Sequence, residues 1–190
     1  MTTQIVFETH STTEDNENGI ATGWLPGRLS ELGREQAADL GKRRRADGVA
    51  AVFSSDLDRS VETAEIAFGE SAIPALLGWR LRECDYGQLN GSVAAELHAH
   101  RAEHVDTPYP GGESWRQAVA RVASFVADLP LRWSGQRILV IGHTAACAAS
   151  ARRVCKPLRP RARHRLGACA TRRSESHQRG ATRRFCIARR

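Results

Sequence analysis

Two histidines, an arginine and a glutamate, at His10, Arg59, Glu83 and His143, are the residue types that one kind of chemistry needs. A neutral imidazole attacks phosphorus well and leaves again readily, because a phosphoramidate is labile. The three equatorial oxygens of a transferring phosphoryl group need neutralising, which a guanidinium does with two parallel hydrogen bonds. A second imidazole can hydrogen-bond the same oxygens. A carboxyl in a pocket can protonate the departing alkoxide. Brought to one place, these four residues could transfer a phosphoryl group.

Placing them together is the task of the surrounding elements. Gln4–Phe7 is a short apolar run that suits a buried strand, and it leads into a polar loop from Thr9 to Gly23 in which no core is expected. Ser30 is a good N-cap for a helix over Gly33–Arg45, and Gly48 ends that segment. Val49–Phe53 reads as the second strand and Asp58–Phe68 as the second helix. Further helices are expected over Val93–Glu103 and Ser114–Leu129, the latter with Ala118, Val122, Phe125 and Leu129 at helical spacing. Arg137–Gly142 is the clearest buried strand. Strands alternating with helices imply a three-layer α/β/α fold with a mainly parallel central sheet. Ligands bind at the carboxyl ends of such strands. Three of these ends are polar: Thr9-His10-Ser11, Ser54-Ser55-Asp56 and His143-Thr144. Glu83 lies in a loop, Leu81–Gly87, that could reach them.

Composition limits what else the chain does. No apolar run approaches the ~20 residues of a membrane span, and the N-terminus lacks the pattern of a secretory signal, so a cytoplasmic protein is expected. The net charge of +7 is unevenly spread: residues 1–150 carry 14 basic and 20 acidic residues, residues 151–190 carry 14 basic and one acidic. The acidic body does not suit nucleic acid, and only the basic tail would bind it, in a salt-sensitive and sequence-blind way. Five cysteines without a CxxC pair suggest free thiols rather than a disulfide framework or a zinc site.

Several segments together resemble the histidine phosphatase superfamily, the phosphoglycerate mutase-like fold. They are Thr9-His10-Ser11-Thr12-Thr13-Glu14-Asp15-Asn16; Gly23-Trp24 with Leu29-Ser30-x-x-Gly33-x-x-Gln36-Ala37; Ser54-Ser55-Asp56-Leu57-Asp58-Arg59-Ser60-Val61-Glu62-Thr63-Ala64; and Glu83-x-x-x-Gly87, Gly111-Gly112-Glu113-Ser114 and Gly142-His143. The resemblance covers about residues 4–149. It implies that His10 is the nucleophile and becomes phosphorylated, that Arg59 and His143 hold the phosphoryl group, and that Glu83 donates a proton and later activates water. It implies neither a cofactor nor a metal. Asn16 would line the same pocket, with Thr9, Ser11, Glu113 and Thr144 on the substrate side.

Two departures from the family pattern matter. Thr9 stands where the family has an arginine, and Ser11 where it has a glycine. Losing one guanidinium from the transition state costs about 10²–10³ in rate unless another replaces it; Arg28, Arg80 and Arg82 are the candidates, and Glu8 would add unhelpful charge if it faced inward. The second departure is the end of the chain. Residues 1–150 read as the family domain without its usual C-terminal elements. Residues 151–190, Arg-rich and without helical or strand period, read as a disordered tail and as a frameshift product. The expected activity is hydrolysis of a small phosphomonoester. A phosphatase is preferred to a mutase because the chain is short; a degenerate phospho-ligand binder and a nucleic-acid binder are the alternatives.

Blander readings stand beside several of these residues. Asn16 suits turn chemistry as well as a phosphate contact. Glu113 suits the start of the helix that follows it as well as a substrate role. His100 and His104 would share a helix face without His98, which suits a solvated face better than a metal site. Lys42-Arg43-Arg44-Arg45 suits the C-terminal end of a helix dipole.

Overall fold

A computed structural model describes residues 2–145 and 183–188 of the chain, the last six by their backbone. A five-stranded sheet forms its centre, in the order β4-β3-β6-β1-β7. Its strands are β1 (Thr2–Thr9), β3 (Val49–Ser54), β4 (Ala75–Leu77), β6 (Arg137–Gly142) and β7 (Arg183–Ala188). The first four run parallel, and β7 pairs antiparallel with β1. A small antiparallel pair, β2 (Ile20–Ala21) with β5 (Ser92–Val93), lies apart from it.

Side chains alternate across the sheet and so supply two cores. Ile5, Phe7, Ala51, Phe53, Ile138 and Val140 pack against Val122, Phe125, Val126 and Leu129 of α5 (Trp115–Arg132). On the other face, Val6, Val52, Leu139 and Ile141 meet Leu40 of α2 (Glu31–Arg44) and Ala64, Ala67 and Phe68 of α3 (Asp58–Phe68). Each large apolar side chain so buried is worth about 1.5–3 kcal/mol, more than an exposed ion pair at about 0–1 kcal/mol. The result is the three-layer α/β/α arrangement expected, with a mainly parallel sheet.

Register decides where the site forms. Thr9 pairs with Gly142, and Ser54 with Ile141, so β1, β6 and β3 end at one level. His10, His143 and Ser55 follow directly. Helix ends are fixed by side chains: Ser30 accepts from Gly33 N at the start of α2, and Ser114 forms a capping box with Gln117 at the start of α5.

Several local expectations change. The Thr9–Gly23 loop is polar but not open: Ser11, Thr13 and Thr22 are buried. It contains a one-turn helix, α1 (Glu14–Glu17), and Thr12 donates through its N–H and its hydroxyl to Gln36 Oε1 of α2. Helix α4 is short, Ala94–Ala99, and the chain continues as a 3₁₀ turn over Arg101–His104. His100 and His104 therefore do not share a helix face; His100 pairs with Glu103 and His104 stacks on Tyr109. The basic run is not merely a solvated helix end. Arg44 is buried and donates to Glu8, and Arg45 donates to the carbonyls of Ala67 and Ile66. Finally, Arg183–Ala188 is a strand where no strand period was expected. Its apolar stretch Phe185–Ala188 lies along an edge of β1 that otherwise offers unpaired backbone groups. The expectations of disorder and of a frameshift over residues 151–182 fall outside the described residues.

Candidate active site

His10 and His143 meet beyond the ends of β1 and β6, their ring centroids 4.9 Å apart. The backbone holds His10 in place: its N–H donates to Gly142 O at 3.0 Å. Its ring Nδ1–H donates to Ser11 O at 2.7 Å, which leaves Nε2 with a free lone pair. Burial first, and Arg59 second, lower the pKa of His10 from 6.5 to about 4. The ring is therefore neutral at pH 7, with a lone pair on Nε2 that could act as base or nucleophile.

Arg59 stands on the first turn of α3, 3% exposed. Its Nη2 donates to Gly23 O at 2.8 Å and faces His143 Nδ1 at 3.4 Å. Gly23 needs its glycine: φ is +56°, and a Cβ would lie 1.8 Å from Asn90 Oδ1. The other terminal nitrogen, Nη1, is buried without a hydrogen-bond partner. Burial lowers the guanidinium's pKa, against the opposing pull of Glu83, Tyr86, Asp15 and Asp58. A buried cation with an unused donor is costly unless an anion completes it.

His143 is 1% exposed. Since Arg59 can only donate, the ring proton belongs on Nε2, which donates to Ser55 Oγ at 2.7 Å with Ser60 Oγ at 3.2 Å. Burial, then His10, Arg59 and Arg121, hold its pKa well below 6.5. Ser55 and Ser60, both fully buried, were not singled out from the sequence as site residues. Their place after β3 and beside Arg59 was the available signal.

Glu83 comes from the loop after β4 and is also buried. Its Oε1 accepts from Cys84 N (2.9 Å) and Ala145 N (3.1 Å), its Oε2 from Thr144 N (3.0 Å). The carboxylate thus sits against the residues that follow His143, and Thr144 contributes its main chain. Neighbouring Cys84 is buried, and its pKa is raised by that burial and by Glu83, so it is no competing nucleophile at neutral pH.

The remaining sequence candidates divide. Ser11 is buried next to His10 and donates its N–H to Thr63 Oγ1. Asn16 serves the capping box of α1 with Thr13 and is exposed. Glu113 is taken up by Arg121, whose Nε and Nη2 donate to its two oxygens at 2.9 and 2.7 Å. Thr9 is exposed at the strand end. Glu8 turns to the opposite face, where Arg44 holds it at 2.6 Å. Of the proposed replacements for the missing arginine, Arg82 forks onto Asp56 at 2.7 and 2.6 Å, Arg80 pairs with Asp128 at 2.8 Å, and Arg28 is exposed. Arg59 is thus left to face the two imidazoles.

A family model described as the histidine phosphatase superfamily (branch 1) matches residues 5–184. The chain belongs to the histidine phosphatase superfamily. The family match runs past residue 149, where the motif-by-motif resemblance stops. Curated relatives named 2,3-bisphosphoglycerate-dependent phosphoglycerate mutase include one from Methylobacterium sp. (strain 4-46), 32% identical over 73% of this chain and 74% of its own. Another, from Methylocella silvestris, is 33% identical over 73% and 75%. Near-equal coverage means near-equal length, so the shortness of this histidine phosphatase chain does not argue against a mutase. Solved structures with the same fold include Bacillus stearothermophilus YhfR (TM-score 0.70, 29% identity, 77% of each chain). A mycobacterial glucosyl-3-phosphoglycerate phosphatase complexed with VO3 superposes with TM-score 0.68 at 27% identity over 77% of each chain.

Proposed function

We propose that the protein is a metal-independent phosphatase that hydrolyses a small phosphomonoester through phospho-His10. The observation that carries this reading is Arg59 Nη1, buried without a hydrogen-bond partner on the guanidinium that faces His143 and whose charge acts on His10, which has its Nε2 free. In the first step His10 Nε2 attacks phosphorus, the P–O bond to the leaving group breaks, and Glu83 supplies the proton that the leaving oxygen takes. In the second, water attacks the phosphoryl group, the P–N bond breaks, and Glu83 takes the proton from water. Arg59 holds the equatorial oxygens in both.

Hydrolysis is preferred to a mutase reaction on charge. A bisphosphorylated acid needs several free cations, whereas Arg80, Arg82 and Arg121 are paired with Asp128, Asp56 and Glu113; Arg101, over the Trp115 ring with its Nε buried and without a hydrogen-bond partner, is the cation that would serve the mutase reading. The relatives' names favour the mutase as the second reading. Turnover of an aryl phosphate by the parent protein in the presence of a chelator, absent in folded His10→Ala, is the expected result. Phosphoglycerate isomerisation that requires a bisphosphoglycerate, without net phosphate release, would replace the phosphatase by the mutase. A folded protein that binds phosphate and turns over neither substrate would make it a binder.

A further inference from the structure

We propose that Arg121 is a positioning residue for the acid Glu83, acting with Glu113 as a clamp on the loop that carries it. The proposal rests on the reading of Glu83 as the proton donor. Arg121 lies on α5 and is 9% exposed. Its Nη1 donates to the carbonyls of Trp79, Arg80 and Arg82 at 3.3, 3.0 and 3.1 Å, and its Nη2 to Glu83 O at 3.0 Å. The loop is thus wound around one guanidinium, whose planar fork of donors a lysine cannot reproduce.

Glu113 completes the clamp. While its two oxygens take the Arg121 fork, Oε2 also accepts from Asp85 N at 3.2 Å, and Glu113 N donates to Asp85 O at 2.8 Å. Residue 83 is therefore fixed from both sides: Arg121 on its own carbonyl, Glu113 on the main chain two residues later. A second donor, Trp24 Nε1, reaches the same Glu83 carbonyl at 2.7 Å. The guanidinium of Arg82 lies over the Trp24 ring at 4.6 Å and that of Arg121 at 5.7 Å. The carboxyl itself must reach across to Thr144 N and Ala145 N, so its aim depends on where this main chain is held. A displacement of about 1 Å at a reacting group can cost about 10²-fold in rate.

Leaving-group dependence separates positioning of an acid from general support of the fold. Dinitrophenolate leaves without a proton, whereas a simple alkoxide requires one, and general acid catalysis is worth about 10²–10⁴. In Arg121→Lys, kcat/KM for an alkyl phosphate is expected to fall about 10- to 100-fold, while that for dinitrophenyl phosphate changes less than about threefold. Glu113→Gln, which keeps one acceptor oxygen and replaces the other with an amide N–H₂ that cannot accept, is expected to shift the same ratio by less. It carries the test if Arg121→Lys does not fold. Equal losses on both substrates in a variant with parental circular dichroism, or no loss on either, would overturn the proposal alone. A parent protein that forms no phosphohistidine from either substrate would instead remove the functional reading, and this proposal with it.

Discussion

The site's chemistry is set by what surrounds each side chain more than by the side chains themselves. Burial makes His10 and His143 neutral, and the carbonyl of Ser11 fixes which nitrogen of His10 is free. A consequence for stability follows with a definite sign. Both imidazoles ionise less readily folded than unfolded, so between pH 6.5 and about 4 the unfolded chain binds more protons. Their contribution is intact above pH 6.5 and is lost as pH falls toward 4; urea midpoints at pH 7 and 5 should show the drop, and His10→Asn should make it shallower. Arg59 is held ready for an anion. Inorganic phosphate should raise the Tm of the parent protein, and Arg59→Met should lose that rise along with about 10²–10³ in kcat/KM. A phosphate-induced rise that survives in Arg59→Met would mean that another group holds the anion. The residues proposed to react were legible because they lie in a recognisable pattern, His10 and His143 at strand ends and Arg59 and Glu83 in motifs that follow strands. Arg121 was not, because an arginine on a helix reads as solvated until the carbonyls it collects are seen. Glu113 was half legible: its motif marked it as special, but only the fold shows the cation it serves.

At the level of elements, close backbone contact positions the loop that follows His10. Gly33 lies in the first turn of α2, where a Cβ would come within 1.9 Å of Thr12 O. Gly33→Ala must push α2 away from Thr12, whose N–H and hydroxyl bond Gln36 of the same helix. The expected outcome is a destabilisation of about 1–3 kcal/mol by urea unfolding, together with reduced turnover. Parental stability and turnover would show that the loop adapts freely. Strands β1, β3 and β6 and helices α2, α3 and α5 were readable from apolar period and N-caps. The short elements were not: α1 depends on a capping box inside a polar run, and β4 has three exposed residues that take their conformation from pairing with β3. Tertiary contact, rather than local propensity, specifies such pieces.

Across the molecule, parallel pairing brings residues 10, 55 and 143 to one edge although 133 positions separate the first from the last. Alternating strand and helix segments made the fold class legible, whereas the strand at the end of the chain has no such pattern around it. Basic residues dominate the end of the chain, and its short apolar stretch supplies an outer strand. We propose that β7 protects the edge of β1. Deleting residues 183–190 should lower the Tm and increase aggregation measured by light scattering, since β1 would then present a bare edge. Unchanged melting and solubility would mean that the strand contributes nothing. The proposed intermediate, however, is covalent, and rapid quenching of the protein with dinitrophenyl phosphate tests it most directly. Intact-mass analysis should show a gain of one phosphoryl group, acid-labile, on the peptide that contains His10, and none in His10→Ala. Turnover without such an adduct, or an adduct that persists in His10→Ala, would contradict the account.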